Sequence, residues 1–238
     1  MRSIKGIWFL DRWLRAVVPG CLALTLFSLT AQVIHEDFSS GMDNWWVEGG
    51  ERVWVHEGRL YIHADNPKML GGGVATVWCK TPHGPNFVLE VDAHVVSSSL
   101  DVNNINLFFS YSDPFGKPLI ETRGARKTAD YGLYHLLNGY IITFLNDSRG
   151  AAGSGKARIR IRRNPGFKLL AEDFRGSCRQ GVTYHLRVTK RGGEITFGVN
   201  GETLLTARDP EPLGGGLFGL RTYRTNLWWD NVQLAALE

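Results

Sequence analysis

No segment of this chain repeats apolar residues at helical spacing over any length, and without that period neither a helix bundle nor an alternating α/β fold is expected. Cysteine is scarce, with three in 238 residues, and no spacing among those three and the seven histidines suits zinc. Excess charge of one sign is small as well: a net charge of +4 and a pI near 9.0 are only mildly basic. The most basic stretch carries no interleaved aromatics, which argues against nucleic acid as a partner. Gly71-Gly72-Gly73 and Gly214-Gly215-Gly216 lack the strand, loop and helix context of a phosphate cradle and read as turns. Long hydrophobic runs are missing too. The one candidate, Ala16 to Leu29, follows Arg2, Lys5, Arg12 and Arg15, is too short to span a bilayer comfortably, and leads into the small residues Thr30 and Ala31. We read residues 1–31 as a secretory signal cleaved near Ala31, with a retained membrane anchor as the alternative. Residues 32–238 are then one domain, secreted or periplasmic, with no membrane contact after cleavage.

What is present points to a turn-rich β protein: 43% hydrophobic residues, 11% aromatics and 28 glycines. Strand patterns fall at Val53 to Val55, Arg59 to Ala64, Val74 to Cys79, Phe87 to Val96, Ile105 to Tyr111, Gly139 to Leu145, Lys156 to Arg163, Thr183 to Thr189, Glu194 to Val199, Thr203 to Ala207, Gly216 to Thr222 and Leu227 to Leu234. Asn200-Gly201 is the best hairpin signal, because both central positions of a type I′ turn need positive φ; Gly192-Gly193 is a second. So many short strands suit an all-β fold, a two-sheet antiparallel jelly-roll sandwich. Ser112 to Leu133 interrupts the pattern with prolines, glycines and charge and reads as a long loop. Export would leave Cys79 and Cys178 in the mature chain. They either pair, which would stabilise by about 4 to 5 kcal/mol, or stay as two buried thiols.

Two strands have one apolar and one charged face. In "KARIRIRRNPGF" (156–167), Ala157, Ile159 and Ile161 alternate with Lys156, Arg158, Arg160 and Arg162; in Phe87 to Val96, Glu90, Asp92 and His94 alternate with apolar residues. Side chains two apart on a strand lie about 6.5 to 7 Å from one another, so adjacent cations repel by about 0.6 kcal/mol in water and about 2.4 kcal/mol at an effective dielectric of about 20. An anionic ligand would relieve that repulsion, since arginine forks match carboxylate or sulfate oxygens in pairs. If both strands share one sheet face, carboxylates and guanidinium groups line one groove.

The chain from Asn44 to Leu234 resembles the YesU-like proteins and related uncharacterised families within the concanavalin A-like lectin and glucanase group. The residues that carry the resemblance are "NWWVEGGERVWVHEGRLYI" (44–62), "TVWCKTPHGPNFVLEVDA" (76–93), "NINLFFSYSDP" (104–114), "RIRRNPGFKLLAE" (160–172) and "DPEPLGGGLFGLRTYRTNLWWDNVQL" (209–234). In that pattern a Tyr-His pair precedes an arginine-rich segment ending in Gly-Phe, matched here by Tyr134-His135 and by Arg160 to Phe167, although the stretch between departs from it. The resemblance implies a jelly roll and a setting in the degradation of pectin or other acidic polysaccharides.

Three roles follow. A polysaccharide lyase removes the proton α to a uronate carboxyl group and needs a group to neutralise that carboxylate and a base beside it. Arg158, Arg160 and Arg162, with Asn104 and Asn106 as amide partners and His94 as a further contact, form the substrate-binding set; His135, Tyr134 and Tyr140 are the acid and base candidates. A glycoside hydrolase needs two carboxyl groups, about 5 to 5.5 Å apart for retention and about 6.5 to 9.5 Å for inversion. Glu90 and Asp92 are candidates for such a pair. They resemble the first two acids of the Glu-x-Asp-x-x-Glu signature of laminarinase-like hydrolases, but Val95 stands where the last Glu belongs. The third role is binding without chemistry, with Trp45, Trp46, Trp228, Trp229 and Tyr223 as stacking faces, of which Trp228 and Trp229 must point to opposite sides. The charged loop and arginine strand exceed what stacking requires, which favours an enzyme. No cofactor is expected, and the architecture accommodates a structural calcium near Asp230.

Overall fold

The computed structural model describes residues 32–238, so the predicted signal segment lies outside the described residues. Fifteen strands follow in chain order: β1 (Gln32–Glu36), β2 (Trp45–Gly49), β3 (Arg52–His56), β4 (Arg59–His63), β5 (Val74–Cys79), β6 (Phe87–Ser97), β7 (Ile105–Ser112), β8 (Asn138–Leu145), β9 (Arg158–Asn164), β10 (Lys168–Asp173), β11 (Thr183–Arg191), β12 (Glu194–Val199), β13 (Glu202–Arg208), β14 (Leu217–Tyr223) and β15 (Asn226–Ala236). They form two antiparallel sheets. One runs β13-β12-β11-β6-β15-β4-β3, with β1 also paired to β15; the other runs β10-β9-β8-β7-β14-β5-β2. This is the expected jelly-roll sandwich.

The main core lies between the sheets and comes from the apolar half of each alternation. Phe87, Leu89, Val91, Ala93 and Val95 of β6 meet Ile159 and Ile161 of β9, Ile142 and Phe144 of β8, and Phe218 and Leu220 of β14. Asn200 and Gly201 take φ values of 52° and 85°, the left-handed pair the β12–β13 hairpin needs. Trp229 is fully buried while Trp228 stands on the outer face. Cys79 and Cys178 are both free and buried in this core, so the buried-thiol alternative holds.

A second apolar cluster sits on the far side of the seven-stranded sheet. Trp46, Trp78, Phe108, Tyr111 and Ile141 point outward from their strands and are covered by Leu119, Ala129, Tyr134 and Leu137 of the segment between β7 and β8. That segment, expected as an open loop, contains two short 3-10 turns, Arg123–Arg126 and Tyr131–Tyr134, and lies flat on the sheet. Gly219 makes room for this layer: a Cβ there would lie 2.8 Å from the Trp78 ring. Three strands were not anticipated: β1 and β2 borrow their partners from distant parts of the chain, and β10, although it folds back directly on β9, lacks the alternation of a half-buried strand.

Candidate functional site

The register of the seven-stranded sheet aligns one residue from every strand into a polar row. Glu48 pairs with Thr76, Thr76 with Arg221, Arg221 with Asn106, Asn106 with Thr143, Thr143 with Arg160, and Arg160 with Glu172. With adjacent strands about 4.8 Å apart, the row extends roughly 29 Å across the outer face. The segment 113–137 covers its Glu48 end. Over the other part opens a cleft of about 490 Å³, lined by Asn104, Asn106, Thr143, Leu145, Arg158, Arg160, Arg162 and Arg221 on the sheet and by Tyr131, Ala151 to Gly153, Phe167 and Tyr223 around them. All three predicted arginines and both predicted asparagines therefore share one accessible trough.

Each arginine has found a different partner, which keeps the guanidinium groups apart. Arg158 donates to the Ala152 carbonyl at 2.6 Å and lies 3.8 Å from Asp147. Arg160 is paired with Glu172. Arg162 donates to the Phe167 carbonyl at 2.8 Å and lies 4.0 Å over the Phe167 ring. Burial first, and the neighbouring Arg160 second, hold Arg158 and Arg162 below the usual arginine range. Arg221 donates to the Thr76 hydroxyl at 2.7 Å and to the Ala129 carbonyl at 2.9 Å, and faces the rings of Tyr131, Tyr134 and Phe108. No Asp or Glu side chain lines the cleft.

Three polar atoms of the cleft-lining residues are left without partners, Arg158 Nε among them. Asn106 donates from Nδ2 to Asn104 Oδ1 at 2.6 Å, which fixes the amide orientation and leaves its own Oδ1 buried and free. Arg221 Nε is likewise unpartnered. Buried groups of this kind cost free energy unless something completes them, so all three favour a polar ligand. The wall is aromatic: Tyr131 meets Phe167 edge-on at 5.2 Å, and His135 stacks on Phe167 at 3.9 Å. Arg162 and His135 must take opposite faces of Phe167, so this ring has no face left for a sugar.

The predicted acid and base candidates fall elsewhere. His135 lies behind Phe167 rather than on the cleft, with Nε2 buried and unpartnered, and burial followed by Arg221 and Arg162 lowers its pKa. Tyr134 is buried and donates to Glu48 at 2.7 Å, joining a structural cluster in which Arg126 also grips Glu48. Tyr140 points into the main core, donating to Asp209 at 2.6 Å, because its position in β8 is in phase with Ile142 and Phe144. Glu90, Asp92 and His94 do not share the groove with the arginines: β6 belongs to the eight-stranded sheet, so they face the opposite side of the sandwich. There Glu90 pairs with Arg187, Asp92 accepts from Asn231 and contacts His185, and His94 stacks on Trp228. Trp228 is also covered by Arg59, and Trp45 and Trp46 are buried, so neither these nor the buried Trp229 offers a stacking face. Asp230 accepts the Asn231 N–H at 2.7 Å and lies 3.8 Å from Arg59. Among the described residues no group of three or more His, Cys, Asp or Glu side chains is placed to hold a metal ion.

Sequence reasoning missed Arg221, Tyr131, Thr143 and Phe167 as cleft residues. A signal existed for Arg221, the one charged residue in the apolar strand "LFGLRTY" (217–223). None existed for Tyr131, which reaches the cleft only because its loop folds back over the sheet.

The two antiparallel sheets and the cleft on one outer face define a galectin-like jelly roll. The chain belongs to the DUF6250 family, a domain of unknown function, which matches residues 70–232. A Bacillus subtilis protein of unknown function with a galectin-like fold superposes with a TM-score of 0.71 at 19% identity, covering 87% of this chain and 98% of its own. The carbohydrate-binding module CBM66 from Bacillus subtilis gives a TM-score of 0.57 at 14% identity, covering 81% and 96%. The exoplasmic domain of VIP36 in a Ca2+/Man3GlcNAc-bound form gives 0.59 at 13%, covering 87% and 88%. Identities this low establish the shared fold. Comparison with curated proteins returns no match.

Proposed function

We propose that the protein is an extracytoplasmic carbohydrate-binding protein that takes a uronate-containing glycan in the arginine cleft. The observation that carries this reading is charge: four guanidinium groups and no carboxylate line the cleft. Arg160 and Arg162 fit a planar carboxylate in pairs, and Asn106 and Thr143 supply hydrogen-bonding groups for ring hydroxyls. One of the structural relatives is named as a carbohydrate-binding module and another is in a Man3GlcNAc-bound form, and the leader-like first 31 residues suit an extracytoplasmic role. A YesU-like place in acidic polysaccharide use agrees with the same chemistry, and the reading requires no metal.

The absence of carboxyl groups from the cleft lining weighs against acid-pair hydrolysis there. Elimination is favoured as a second reading by one observation, the Tyr131 phenol in the cleft beside Arg160, Arg162 and Arg221. Burial raises its pKa, which favours the neutral phenol and weighs against this reading, although Arg221, a hydrogen bond to Thr143, Arg162 and Arg160 pull the other way. As a phenolate it would take the proton α to the uronate carboxyl group. The electron pair would form the ring double bond, the β carbon–oxygen bond would break, and the departing oxygen would recover the proton from Tyr131. Incubating the protein with uronate-containing and neutral glycans separates these readings. Retention of uronate glycans alone supports binding, new absorbance of unsaturated uronate that Tyr131→Phe abolishes supports elimination, and equal retention of neutral glycans refutes the anionic reading.

A further inference from the structure

Resting on that reading, we infer that the cleft is blind at one end and receives the end of an acidic glycan chain rather than its interior. The polar row is buried over its inner members and opens at the β9–β10 end. Arg221 is 1% exposed, Asn106 4% and Thr143 7%, whereas the side chains of Arg160 and Glu172 are 23% and 20% exposed. The deep end is sealed by the Arg221 guanidinium, which is held by Thr76 and the Ala129 carbonyl and packed among three rings. Behind it no passage remains. A Cβ on Gly49 would lie 2.7 Å from the Ala129 Cβ, so the covering segment rests directly on the sheet.

The flanks are closed as well. On one side Arg158 binds the Ala152 carbonyl, and the Tyr223 hydroxyl lies 3.5 Å from the Ala151 carbonyl, fixing the 151–153 turn as a wall. On the other side stand Tyr131 and Phe167. The remaining way in passes over Arg160 and Arg162 toward β10, where Glu172 holds Arg160.

A chain interior needs two exits, and this cleft has one. A chain end needs only one, and it brings a terminal hydroxyl that an interior residue has lost to its glycosidic bond. That hydroxyl is the donor Asn106 Oδ1 lacks, while the carboxylate of the same residue or the next stays within reach of Arg160 and Arg162 nearer the mouth.

Calorimetric titration of the full protein with a ladder of uronate oligosaccharides and the long polymer of the same repeat tests this. Affinity is expected to rise over the first two or three sugars and then level, with the polymer binding one protein per chain end whatever its length. Capping the terminal hydroxyls at the reducing end or at the non-reducing end should, for one of the two ends, weaken binding by about tenfold, the cost of leaving Asn106 Oδ1 unpaired. Affinity that keeps climbing with length, several proteins along one polymer, or indifference to capping at both ends overturns end recognition while leaving the anionic cleft intact. Failure of every uronate ligand to bind a folded protein overturns both.

Discussion

Replacing Arg126 with Leu is the most searching test of how the cleft is held. Glu48 is buried at the covered end of the polar row and accepts from Trp78 Nε1 at 3.0 Å, Tyr134 OH at 2.7 Å, Trp46 Nε1 at 3.4 Å and Arg126 at 3.0 to 3.3 Å. Arg126 also donates to the Leu119 carbonyl at 2.7 Å, so one guanidinium ties the covering segment both to itself and to the sheet. Arg126→Leu leaves a buried carboxylate with neutral donors only, and removing one partner of such a pair costs about 3 to 5 kcal/mol. In a domain of this size each kcal/mol moves the midpoint by about 2 to 4 °C, so Tm should fall by about 6 to 20 °C. Urea unfolding gives the free energy directly, and a cycle with Glu48→Gln isolates the pair: Arg126→Leu should cost about 1 to 3 kcal/mol less when residue 48 is already neutral. Because Tyr131 rides on the same segment, ligand affinity should fall in the single variant as well. A loss below about 1 kcal/mol, or strict additivity in the cycle, would refute the view that this ion pair clamps the segment.

Three further outcomes are expected. Arg160→Gln with Arg162→Gln should abolish retention on acidic glycans. It should cost only about 1 to 2 kcal/mol of stability, since a part-exposed ion pair and one contact with an aromatic ring are each worth about 1 kcal/mol or less, and collapse of the fold would show them to be structural instead. The 146–157 turn should loosen in acid. Burial pushes the Asp147 carboxyl up, but the N–H groups of Ala152, Ser154 and Gly155 and the Ser154 hydroxyl bring it below the usual range. Its stabilisation is therefore complete above pH of about 4 and lost as pH falls through the lower folded value, which proteolysis of the turn should follow and Asp147→Asn should remove. Burial pushes the Cys79 thiol up to about 11 and raises the Cys178 thiol as well, so both should resist alkylation until the protein unfolds, and reductant should leave Tm unchanged.

Local pattern revealed the strands and their faces but not which sheet each strand joins. In Phe87–Ser97 and Arg158–Asn164 the alternation marks the buried and outward residues correctly, because a period of two is a local property. Glu90 and Arg160 nonetheless ended on opposite sides of the molecule, since sheet membership depends on pairings across a hundred residues, such as β6 with β11 and β15. Arg158, Arg160, Arg162, Asn104 and Asn106 were legible as residues of one outward surface, and they do line a single cleft, because cations and amides in phase mark a strand's outer face. Tyr134 and Tyr140 misled for the opposite reason, as a tyrosine can aim its hydroxyl at a buried acid and look the same in sequence.

The polar row also makes the cleft depend on strands drawn from most of the described chain. Its members arrive from β2, β5, β7, β8, β9, β10 and, in the middle, β14, the second-to-last strand. Leu217–Tyr223 lies between Val74–Cys79 and Ile105–Ser112, so Arg221 is what bridges Thr76 and Asn106 in the floor. Ligand binding in the cleft therefore depends on a strand supplied late in the chain, and any change that unseats Leu217–Tyr223 removes the middle of the floor along with Arg221.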